Sequence, residues 1–147
     1  MAPLSDEEVR ALTEPLLSSL KGAEVILVGE THDHPHHHAL QAELIRRLAP
    51  RSVAFEMLNA SQAAVAAGLL TTPSEGWGEA LEWEARGWPP FELYRPIFEA
   101  ARGVGAQLVA AHPDRATLQP LLTGEALPGA LVDALKLNEP LPAEGGG

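Results

Sequence analysis

Three short apolar runs constrain the fold more than any other feature: Glu24–Val28 (EVILV), Ser52–Met57 (SVAFEM) and residues 106–111 (AQLVAA). They are apolar on successive positions, the pattern of strands covered on both faces. Stretches with helical periodicity separate them, and strands that alternate with helices imply a parallel sheet with right-handed crossovers. The fold expected is α/β, a parallel sheet of at least three strands with flanking helices.

The intervening segments carry matching start and stop signals. Ser5 followed by Glu8 forms a capping-box pattern, and Val9, Leu12, Leu16, Leu17 and Leu20 recur at helical spacing up to Gly22. Pro35 suits the first turn of a second helix that runs to Ala49, with Pro50 closing it. Asn59 can cap a helix through SQAAVAAGLL. The Gly-, Pro- and Trp-rich stretch from Thr71 to Pro90 is expected to wrap the surface before a helix from Phe91 to about Arg102. At 147 residues the chain suits a single α/β domain, in which residues 116–147 form a weakly helical segment and a disordered tail, LPAEGGG.

Charge and composition exclude several chemistries. Twenty acidic residues against ten basic ones give a net charge of −10, which repels nucleic acid and anionic lipid. Cysteine is absent, so any metal must be held by His, Asp, Glu or Tyr. The first residues carry three acids before a base and no long apolar run, unlike a signal peptide or a membrane span. The chain as it stands reads as cytoplasmic, and as a cell-envelope protein if a leader has been removed.

In open parallel sheets ligands bind beyond the carboxyl ends of the strands. There the sequence offers Glu30, His32 and Asp33 after the first run, Glu56 at the end of the second, and His112 and Asp114 after the third. These groups are expected along one rim. Five of the six histidines fall within residues 32–38. On the helix that begins at Pro35, a stripe of Leu40, Leu44 and Leu48 puts His37 on the inward line, with His36 and His38 to either side. His37 is therefore expected to face the rim, or to be a core histidine bonded to a carbonyl. His32-x-His34 would form a weak chelate on an extended segment. Trp77, Trp83 and Trp88 either wall a flat cofactor or cover the core.

The segment from Ala23 to Arg115 resembles the ChaN-like haem-binding uptake family, related to the Tiki and erythromycin-esterase-like proteins. The resemblance rests on Gly29-Glu30-Thr31-His32, on His37 and His38 in the following helix, on Glu56, and on Tyr94-Arg95-Pro96. It implies an α/β fold and haem as cofactor, in haem or iron uptake. In that family haem is held by a tyrosine, and Tyr94 is the single tyrosine here; His32, His37 and Tyr94 are the candidate haem-binding residues. The Tiki branch implies instead a hydrolase dependent on a divalent metal ion; by residue type His32, Glu56 and His112 are then the candidate metal ligands and Glu30, His32 and Glu56 the candidate catalytic residues, with Glu30 or His37 as general base. Whether the chain is an enzyme stays open between these readings. Members of the family are longer, so the chain reads as a truncated ChaN-like domain, either an inactive fragment or one half of a homodimer.

Overall fold

The computed structural model describes residues 2–113, 115–123, 128–134 and 138–139. The expected tail and Asp114 lie outside them. Two units are distinguished, Met1–His112 and Pro113–Gly147. The second contributes two short helices, α6 (Arg115–Leu122) and α7 (Gly129–Ala134).

In the first unit the helix signals are realised where the sequence placed them. Helix α1 spans Asp6–Leu20, and Ser5 and Glu8 complete a reciprocal capping box. Helix α2 spans Pro35–Leu48 and ends on Ala49 in the left-handed region at φ 45°. Strand β1 is Ser52–Asn59, and Asn59 then caps helix α3 (Ala60–Leu69) in a second capping box with Gln62. Within the expected wrapping stretch lies one short helix, α4 (Trp77–Ala80), and a 3₁₀ turn at Glu84–Arg86. Helix α5 spans Phe91–Gly103 and strand β2 spans Gln107–His112.

The sheet differs from expectation. Among the described residues it has two strands, β1 and β2, paired in parallel with Ser52 opposite Gln107 and Phe55 opposite Ala110. The first apolar run does not join them: Glu24–Val28 has no strand assignment, and Val25, Leu27 and Val28 are 76%, 94% and 51% exposed. A strand exists only where a neighbour takes up its backbone N–H and C=O groups. Among the described residues β1 and β2 pair only with each other, and the run has no ladder with either.

A shift of register between Phe55 and Asn59 marks a bulge in β1. It breaks the in–out alternation, so Met57 and Leu58 are both buried while Glu56 faces out. The core lies against this bend and under α5. Phe91, Tyr94, Ile97, Phe98 and Ala101 recur on one face of that helix and are all buried. Phe98 stacks on Phe55 at 4.3 Å between ring centroids, and Trp83 meets Phe91 edge-on at 5.4 Å. Trp77 and Trp83 bond their indole N–H to Thr72 Oγ1 and the Pro89 carbonyl at 3.1 and 2.8 Å, so both can be buried without an orphaned donor. Gly78 packs so closely on Phe91 that an added Cβ would lie 2.8 Å from the Phe91 Cβ.

Candidate functional site

The chain leaves α1, runs exposed through Val28 and turns at Thr31–His34 into α2, where the His34 N–H donates to the Thr31 carbonyl at 2.9 Å. This turn brings Glu30 against the side chains of α2 and α5. Glu30 is the hub of the cluster that results. Its Oε1 accepts the Tyr94 hydroxyl at 2.6 Å and lies 2.9 Å from His32 Nδ1. Its Oε2 lies 3.3 Å from Nε2 of His38. Burial works against the carboxylate, but hydrogen bonds from Tyr94, His32 and Gln41 and the nearby His38 outweigh it and hold Glu30 below the ordinary carboxylate range.

An ionised Glu30 fixes the protons around it. A carboxylate only accepts, so His32 must carry its proton on Nδ1, which leaves the lone pair on Nε2. The side chain is 43% exposed, and Trp88 meets its ring edge-on at 5.5 Å. In the neutral ring the outward nitrogen then carries the lone pair, beside an indole. His37 has the opposite arrangement. Its Nδ1 accepts the Thr31 N–H at 3.0 Å, so in the neutral ring the proton sits on Nε2. Its ring stacks on His34 at 4.1 Å.

The inward histidine is His38, not His37. His38 is 1% exposed and its ring lies 4.3 Å from that of Tyr94, whereas His37 is only half-buried. The face of α2 that packs on the aromatic core runs His38, Ala42, Ile45; of the expected stripe Leu44 is buried, while Leu40 and Leu48 stay half-buried. Neither nitrogen of His38 has an aligned hydrogen-bond partner among the described residues. Burial therefore lowers its pKa below the ordinary histidine value, and the nearby Glu30 offsets only part of this.

Tyr94 is buried in the same cluster, 1% exposed, with its hydroxyl committed to Glu30. Burial, the bond to Glu30 and the charges of Glu30, Glu56 and Asp33 all raise its pKa and keep the phenol protonated. Glu56 thus lies within electrostatic reach of the cluster although its side chain is on the exposed face of β1. His112 is exposed at the end of β2, paired in register with Asn59. Among the described residues no three His, Asp or Glu side chains converge as a metal-binding group, so His32, Glu56 and His112 are not gathered into one. Arg95 pairs with Glu92 and donates to the Ser74 carbonyl, which ties α5 to the segment before α4.

The cluster opens to solvent at His32 and Trp88. Two hollows elsewhere, of about 400 and 500 Å³, are lined by Arg10, Glu43 and Arg46 and by Glu79, Glu82 and Arg95 respectively. Sequence reasoning grouped Trp88 with Trp77 and Trp83 without separating it, and it missed the inward turn of His38. The spacing His38, Ala42, Ile45 is the signal that marks the second.

The arrangement defines a small α/β protein with an imidazole held by a carboxylate at the mouth of an aromatic core. The chain belongs to the family described as haem-binding uptake, Tiki superfamily, ChaN, whose sequence model matches residues 16–129. No curated protein and no solved structure matches it.

Proposed function

We propose that the protein binds haem in the service of haem or iron uptake, with Nε2 of His32 as axial ligand. Family membership supports haem as the ligand. The observation that carries the choice of residue is the Nδ1–H of His32 held by Glu30, which leaves the outward nitrogen free to ligate. The same test counts against the other candidates. Tyr94 would have to give up a buried hydrogen bond and a firmly held proton, and His37 presents a protonated nitrogen.

Haem supplies an iron centre that accepts histidine and a broad apolar face. The chain has the Trp88 indole beside His32 and, a few residues earlier in sequence, the exposed Val25, Leu27 and Val28 as apolar surface for such a face. A homodimer, in which a second copy covers these apolar side chains, belongs to the same reading. Light scattering across a range of concentrations checks it, and a monomer throughout removes that part.

The ligand is tested by titrating haemin into the purified protein and recording the Soret region. The expected result is a saturable shifted band that His32→Ala abolishes while Tyr94→Phe and His37→Ala retain it. Loss in Tyr94→Phe alone would move the ligand to the tyrosine; absence of a shift in the unsubstituted protein would reject haem.

A further inference from the structure

We infer that Glu30 is a positioning residue for His32, whose carboxylate sets both the orientation and the electron donation of the imidazole, and that Tyr94 moderates it by sharing the same oxygen. This rests on the haem reading above. Two hydrogen bonds converge on Oε1, from Tyr94 at 2.6 Å and from His32 Nδ1 at 2.9 Å. The Tyr94 oxygen also lies 3.3 Å from His32 Nδ1 and 3.2 Å from the His32 carbonyl, so the phenol braces the residue from both sides. Glu30 is only 10% exposed, and its other oxygen faces buried His38.

A carboxylate that accepts Nδ1–H pulls the proton away from the ring and makes the opposite nitrogen a stronger donor. Stronger donation favours the higher charge state of a bound iron, so Glu30 is expected to hold the ferric form. The two neighbours then act with opposite signs. Glu30→Gln keeps an acceptor for Nδ1–H but removes the charge, which weakens donation. Tyr94→Phe removes the competing donor and leaves the whole carboxylate to His32, which strengthens it. An effect of packing alone would move both variants the same way.

The experiment measures the reduction potential and the iron–histidine stretching frequency of the haem-loaded protein, the Glu30→Gln variant and the Tyr94→Phe variant. Expected are a higher potential and a lower frequency for Glu30→Gln, the reverse for Tyr94→Phe, and a loss of haem affinity of about tenfold or more in Glu30→Gln. Should Glu30→Gln fail to fold, Glu30→Asp takes its place: the shorter carboxylate is drawn back from Nδ1 and should move both readouts in the direction given for Glu30→Gln, opposite to Tyr94→Phe. Haem bound through His32 with no change, or with changes of one sign in both variants, overturns this inference and leaves the haem reading standing. No haem binding by the unsubstituted protein overturns both.

Discussion

The aromatic core under α5 and the run from Val25 to Val28 are both apolar in sequence, yet one is almost fully buried and the other lies largely open. Phe98 has no exposed surface, while Leu27 keeps 94% of its own. The difference is where the partner comes from. Helix α5 satisfies its own backbone bonds and needs only a surface for one stripe of side chains, which β1 and the segment around Trp77 and Trp83 provide. A strand that is apolar all round needs neighbours on both edges and both faces, and every one of them is distant in sequence. Local patterning therefore decides the fate of a helix more firmly than that of an interior strand.

The largest effect that would break this contrast is at Trp83. Trp83→Ala removes a buried indole from the middle of the core and should cost about 3–5 kcal/mol in a denaturant titration; a loss under about 1 kcal/mol would show the core to be loosely packed. Tyr94→Phe keeps the ring but strips Glu30 of its closest donor, with an expected cost of about 1–3 kcal/mol. A variant as stable as its parent would mean that the hydroxyl does not hold the carboxylate.

The cluster also dictates how stability follows pH. As pH falls through the ordinary histidine value of 6.5, the unfolded chain takes a proton at His38 that the folded chain resists, so stability declines. It declines further below 4.5, where the unfolded chain protonates Glu30 before the folded one does. Above pH 10.0 the unfolded chain loses the Tyr94 proton that the folded one keeps, so stability falls there as well. Melting curves across this range check all three limbs; His38→Gln should remove the first and, by taking away one of the groups that hold Glu30 low, weaken the second while leaving the third. The smallest effect belongs to the open run. In dilute solution Leu27→Ser should alter stability by no more than about 0.5 kcal/mol, and a larger loss would place Leu27 in a buried environment.

Much of this was legible in the residues. The Ser5–Glu8 capping box announced α1 and the Asn59 cap α3, Pro35 and Ala49 bounded α2, and SVAFEM and AQLVAA read as the strands that do pair. EVILV carried an equally strong strand signal and forms none among the described residues, because composition describes a strand's wants and not its neighbours. In the site, Gly29-Glu30-Thr31-His32 stood out, and Tyr94 and Glu56 with it. What could not be read was the direction of a helix side chain to better than one position. Leu40, Leu44 and Leu48 drew the inward line through His37; Leu44 is buried as that line requires, but it is His38 and Ala42, not His37, that are buried beside it. Trp88 was counted with Trp77 and Trp83, since nothing local separates a tryptophan at a site's mouth from two that fill a core.

The open run has a consequence for the protein in concentrated solution. Val25-Ile26-Leu27-Val28 is a short β-prone window with neither proline nor charge, the composition that nucleates stacked intermolecular strands. Lys21 and Glu24 stand beside it as charged gatekeepers, and a net charge of −10 adds long-range repulsion against uncontrolled association. Colloidal behaviour should therefore follow ionic strength: salt screens the mutual repulsion and leaves the window's attraction untouched, so precipitation sets in at lower protein concentration as salt is raised.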